Sequence, residues 1–203
     1  MTARALLLLA LIPYALWLIF AYDYHFLDGA NLLFHEAGHV FFGLFGQTIG
    51  MLGGTLGQLV FPVAAGVQFL GSGRAFDASV CGVWLGENLL NVARYMGDAQ
   101  AMALPLVGGE IHDWNWLLSR VGLLSHCRQL AGLTHLLGSA VIVASLYGAF
   151  VALRNEHSAQ IASSGPSAQD GRSGSSRSHP PSQEEARGAP RAYCAPDPQE
   201  RDR

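Results

Sequence analysis

His35-Glu36-Ala37-Gly38-His39 is an H-E-x-x-H pattern set among apolar residues. On a helix, positions four apart lie one above the other, so both imidazoles can meet one cation while Glu36 sits beside it. These residue types at this spacing point to a zinc hydrolase arrangement. Zinc in such sites takes three protein ligands and keeps a further position for water, whose pKa falls to about 7. A carboxylate next to the metal, but not on it, takes the water's proton during attack on a carbonyl and passes it to the leaving amine. Glu36 is placed for that role, and His35 and His39 supply two ligands.

The third ligand must come from elsewhere in the chain. Asp98 is the first candidate, because a carboxylate at the end of a later helix can swing toward the metal. His112 and Asp113 are the alternatives, since a loop that folds back can deliver either, and Asp113 can instead orient a ligand from outside. Glu87 and His135 stand behind these. A central charge at membrane depth costs roughly 2.5–3.5 kcal/mol on insertion scales, so the motif is expected to face inward, toward a partner or a metal.

The elements that hold these residues are apolar helices. Half of the 203 residues are hydrophobic and 13% are charged, against roughly 25% charged in ordinary soluble domains, which places the chain with membrane proteins. Residues 1–153 read as an all-α, polytopic membrane domain, and 154–203, rich in Ser, Pro, Arg and acids, as a disordered tail. About five transmembrane spans are expected, near 5–22, 31–46, 48–70, 75–97 and 129–153. The first reads as an uncleaved span, because Trp17, Phe20 and Tyr22 stand where signal cleavage needs small residues. The third carries Gly50, Gly53, Gly54, Gly57 and Gly66, which allow close helix packing, and Pro62, which kinks it.

The fourth span is interrupted by Asp77, Glu87, Asn88, Asn91 and Arg94 and should line a polar interior, with Glu87 and Arg94 on one face and able to pair. Trp114 and Trp116 suit an interfacial or re-entrant segment after it. Arginine placement puts the N-terminus and the 94–128 loop together on the cytoplasmic side, in what is expected to be a bacterial inner membrane. His25 and His126, at span ends, are expected to be solvated.

With a net charge of −3 and interleaved charges in the tail, strong steering of a polyanion is not expected, and no nucleic-acid partner is anticipated. The bilayer and a membrane-protein or peptide substrate are the partners to expect. Cys81, Cys127 and Cys194 share no short spacing, which argues against a thiolate zinc site or a disulfide framework.

From Phe34 to Ala99 the chain resembles the site-2 protease family of membrane-embedded zinc metalloproteases, which carry H-E-x-x-H on the first helix of a three-helix core and an aspartate on the third. The resemblance implies that His35, His39 and Asp98 are zinc ligands and Glu36 the catalytic base. Here Gly97 and Ala99 flank the aspartate in place of the family's Leu and Gly, and its preceding prolines are missing. The chain is also similar to bacterial membrane proteins of no assigned activity that share its H-E-A-G-H motif, its Gly86-Glu87-Asn88-Leu89-Leu90 segment and its His112-Asp113-Trp114.

The leading expectation is therefore a zinc-dependent peptidase acting on a membrane-embedded or membrane-proximal substrate. The alternative is a non-catalytic metal-binding or transport-associated membrane protein. A closed four-ligand shell using both Asp98 and His112 would favour the alternative, and an open position facing a cavity would favour hydrolysis.

Overall fold

The computed structural model describes residues 3–106 and 111–164, and every regular element among them is helical. The helices are α1 (Ala3–Ala21), α2 (Phe26–Gly43), α3 (Gln47–Gly71), α4 (Ala75–Gly97), α5 (Asp113–Arg120) and α6 (Cys127–Ser164), with a single 3-10 turn at Leu124–His126 before α6. The chain divides into Met1–Gly165 and Pro166–Arg203; the second unit, with Cys194 and most of the expected tail, lies outside the described residues. Helix α6 does not stop at 153 but continues to Ser164. Its extra turns contain good helix formers, and Glu156 among them is held by Arg4 at 2.5 Å.

Ion pairs mark two ends of the bundle. At one, Arg4 near the start of α1 bonds Asp77 near the start of α4 at 2.9 Å, together with Glu156 of α6. At the other, Arg94 near the end of α4 bonds Asp23, just beyond α1, at 2.8 Å. Helices α1 and α4 are therefore parallel. With about 1.5 Å of rise per residue, the helix between these clusters spans roughly 26 Å, close to the ~30 Å of a bilayer's hydrocarbon core.

Helix α3 runs the other way. Gln58 lies against Asn88 and Asn91, whereas a side chain at Gly66 would approach Cys81 and Ala78. Helix α3 thus starts at the Asp23–Arg94 end and α6 returns from it, with Cys127 by Gly97 and Glu156 by Arg4. Helix α2 leaves the end of α1 and brings the chain back to the start of α3, turning through Gly46 at φ 104°, a conformation that favours glycine. It never reaches the opposite end.

Two sequence expectations are revised by this topology. In place of about five spans, α1, α3, α4 and α6 run between the ends, and three helical stretches, Ala3–Ala21, Gln47–Gly71 and Leu124–Ala162, are long and apolar enough to cross a membrane. Helix α4 is central, burying Glu87 and Asn88 along with Leu90 and Val92, and its polar content excludes it from that set. The N-terminus and the loop after α4 lie at opposite ends rather than together, because α2 makes no crossing.

Small residues set the closest approaches. A Cβ on Gly57 would stand 2.8 Å from the Cα of Gly38, and one on Gly38 would run into the carbonyl of Gly53, so α2 and α3 touch backbone to backbone. Gly86 and Gly138 do the same for α4 and α6, each Cβ meeting the other's carbonyl oxygen at 2.8–2.9 Å. Outward, α2 presents Phe26 (91% exposed), Leu33, Val40 and Leu44 on one stripe, an apolar face suited to lipid or to a partner.

Candidate metal centre

Asp28, Asn31, His35 and Gly38 fall at three- and four-residue intervals and form the buried face of α2. His39 follows one turn after His35 on the same face, half-buried. Room for the His35 ring comes from α3, where a Cβ on Gly54 would overlap the imidazole. Gly38 in the motif and Gly54 opposite it therefore allow the two helices to close around the histidines.

Each ring is fixed from behind. His35 Nδ1 lies 2.9 Å from Gln58 Oε1, and His39 Nδ1 lies 2.8 Å from the Gly50 carbonyl, an atom that can only accept. The Gln58 amide nitrogen faces the Asn88 carbonyl and Asn91 Oδ1, both at 3.4 Å, which assigns its oxygen to His35. Both Nδ1 atoms then carry a proton and both Nε2 atoms turn inward; the Asp113 carboxylate raises the His39 pKa to about 9, so without a cation His39 Nε2 holds a proton that a metal would displace.

These two nitrogens stand 3.1 Å apart, and Asp113 Oδ2 lies 3.0 Å from His35 Nε2 and 3.1 Å from His39 Nε2. Three lone-pair donors pointed at one another repel unless a proton or cation sits among them. A tetrahedral cation bonded at about 2.0–2.2 Å to each donor sets neighbouring donors roughly 3.3–3.6 Å apart, so the triangle need open by only a few tenths of an ångström to take one. His35, His39 and Asp113 are thus able to hold a metal ion.

Asp113 is the first residue of α5, and its position is prepared by its neighbours. Its amide donates to the Tyr95 hydroxyl at 3.3 Å, and His112 caps α5 by accepting from the Asn115 amide at 3.3 Å. The buried His112 ring stacks on Tyr95 with centroids 4.2 Å apart. Burial pushes the Asp113 carboxyl up, but the two imidazoles set against it, His35 and His39, outweigh that and hold the pKa below the usual carboxylate range. Burial likewise depresses His112, which stays neutral in its cap.

The other sequence candidates are placed elsewhere. Asp98 directly follows α4, and its carboxylate accepts from the Ala103 and Leu104 amides at 3.0 and 2.9 Å, closing the next turn rather than joining the donors. His112 Nε2 is 3.7 Å from Asp98 Oδ2 and outside the triangle. His135 meets the Ile19 carbonyl at 3.0 Å and ties α6 to α1. Glu87 pairs with Asn31 at 2.8 Å rather than with Arg94, which Asp23 takes. His25 is only half-buried but engaged, with Nδ1 2.6 Å from Asp28 Oδ2, rather than solvated.

Sequence reasoning passed over Gln58 and Asn31. Each is a carboxamide on a mostly apolar helix, four residues from a glycine or a motif residue, and that isolation was the available signal. Glu36 is half-buried and, with His35, His39 and Asp113, lines a cavity of about 930 Å³ whose further wall includes Leu104 and Pro105.

Among the described residues the fold is all-helical, and three side chains able to donate to a cation gather on the wall of a cavity. No family model matches the chain, and neither a curated protein nor a solved structure matches it.

Proposed function

We propose that the chain is a membrane-embedded, zinc-dependent metallopeptidase that cleaves a peptide bond in a membrane or membrane-proximal substrate. His35, His39 and Asp113 are its metal ligands and Glu36 its catalytic base. The observation that carries this reading is the convergence of two imidazole nitrogens and one carboxylate oxygen within 3.1 Å on the wall of a large cavity. A donor set of nitrogen and oxygen, three in number, fits zinc in a hydrolytic site with an open position.

Zinc there would polarise the scissile carbonyl and lower the pKa of a water to about 7. Glu36, one residue from His35 and facing the same cavity, takes the proton released in the attack and hands it to the departing nitrogen. Leu104, Pro105, Leu106 and Ile111 give the cavity an apolar wall against which an apolar substrate segment can lie while bulk water is excluded. This reading retains the likeness to site-2 proteases but moves the third ligand from Asp98 to Asp113. It also places the protein in a membrane, with the site toward the Asp23–Arg94 end of the bundle.

The test is cleavage of a fluorogenic library of apolar peptides in micelles, with metal content measured beside it. Glu36→Gln should keep its zinc and lose about 10²–10⁴-fold in turnover, the usual contribution of a general base. Full turnover by that variant would refute the assignment. Stoichiometric zinc in a wild type that cleaves nothing would favour the non-catalytic metal-binding reading.

A further inference from the structure

Asp28 and Glu87 are carboxylates on different helices, 2% and 0% exposed, with His25 between them. Asp28 is hydrogen-bonded at both oxygens: Oδ1 accepts from the Tyr22 hydroxyl and from the Asn91 amide at 2.7 Å, and Oδ2 accepts from the His25 backbone at 2.8 Å. Glu87 is bonded at only one. Its Oε2 accepts from Asn31 at 2.8 Å and from Asn88 at 3.3 Å, but its buried Oε1 has no partner and faces His25 Nε2 across 4.0 Å.

The protonation of His25 follows from its neighbours. Nδ1 lies against two acceptors, Asp28 Oδ2 at 2.6 Å and the Asp23 carbonyl at 3.2 Å, so it holds the hydrogen. Nε2 meets the Tyr14 hydroxyl at 2.6 Å. The cluster sets two buried acids against one imidazole. Arg94 gives them no counter-charge, being engaged with Asp23 and the Tyr22 carbonyl. Two buried carboxylates outnumber the single positive charge that one imidazole can carry, and a divalent cation relieves that imbalance directly.

We propose that His25, Asp28 and Glu87 form a second site, for a divalent first-row cation such as Mn²⁺ or Zn²⁺. Bonds of about 2.0–2.2 Å from one cation to an imidazole nitrogen and to a carboxylate oxygen hold those atoms roughly 3.3–3.6 Å apart at a tetrahedral angle and about 4 Å apart when they lie across the ion from each other. The 4.0 Å between Nε2 and the orphaned Oε1 is too wide for a hydrogen bond and at the open end of that range, so a bound cation would draw the two together. One donor atom from each of the three residues lies within 4.8 Å of the others. The donors are nitrogen and oxygen without sulfur, a set that suits Mn²⁺ or Zn²⁺ over Cu⁺, and two carboxylates match a double positive charge. The rings of Tyr14, Trp17 and Tyr22 pack around His25, with centroids 5.2–5.9 Å away, and shield the site from bulk water.

This site does not rest on the peptidase reading. A hydrogen-bonded path joins it to the first centre, from Asp28 through Asn91 and Gln58 to His35.

The experiment is a metal count on the purified full-length chain after equilibration with Mn²⁺ or Zn²⁺ and removal of free ion. Wild type should retain two cations, Glu87→Gln one, Asp113→Ala one, and the double variant none. Asp28→Asn, with the same expected loss of one, serves if circular dichroism shows Glu87→Gln to be unfolded. A wild type with one cation that survives Glu87→Gln would overturn the proposal, as would two cations surviving both Glu87→Gln and Asp28→Asn. One cation lost with Glu87→Gln but kept in Asp113→Ala would uphold this site and refute the first.

Discussion

Asp113 and Asp98 are both carboxylates near the end of the same polar region, yet only the first has an oxygen free of backbone amides and set against both imidazoles. Asp113→Ala should therefore lose the cation of this centre and so one equivalent of metal relative to wild type, while Asp98→Ala should match wild type in metal content and loosen the turn after α4; metal analysis of the two variants decides between them. Gln58→Ala leaves His35 Nδ1 without its acceptor and should weaken metal affinity about 10–100-fold, the usual effect of removing a group that orients a ligand. Isothermal titration with zinc reads this, and an unchanged affinity would remove Gln58 from the site. The two histidines were legible because their spacing is local to one helix. The third donor was only one of several options, since its position depends on the path of the chain from 99 to 112. Nothing local to Asp98 announced that the Ala103 and Leu104 amides would claim it.

Helices α2 and α3 meet through glycines, and their contact holds the histidines in register. Gly57→Ala would push a methyl to 2.8 Å from the Gly38 Cα, and overpacking of this kind typically costs about 1–3 kcal/mol. Gly132→Ala, in α6 with nothing within 4 Å of the new methyl, should instead stabilise by about 0.4–1 kcal/mol. Thermal melts of the two variants in one detergent should move in opposite directions, and equal shifts would deny that α2 and α3 are in backbone contact. The glycine run in α3 was legible as close packing from composition alone. That its partner is the glycine inside the H-E-x-x-H motif was not, because a glycine does not name the backbone it admits. His25 was misread for the same reason: its surroundings come from Tyr14 and Trp17 on α1 and Glu87 on α4, all distant in sequence.

At the scale of the molecule, ionic clusters stand at both ends and apolar side chains such as Phe20, Leu33, Val67 and Leu136 cover the flanks between. The protein should sediment with membranes, resist alkaline carbonate and be released only by detergent; release by carbonate or salt would contradict a membrane-spanning bundle. The helical class and the apolar domain were legible from composition, but the number of crossings was not. A short helix rich in phenylalanine looks like a span until the directions of α1, α3 and α4 are compared. The order of the donors along the chain carries a further consequence. His35 and His39 emerge during synthesis long before Asp113, with the whole of α3 and α4 in between. On the proposed metal assignment, a nascent chain halted before α5 presents two of the three donors and should hold an ion weakly, so firm loading would wait until α5 has docked and the ion would then clasp α2 to α5.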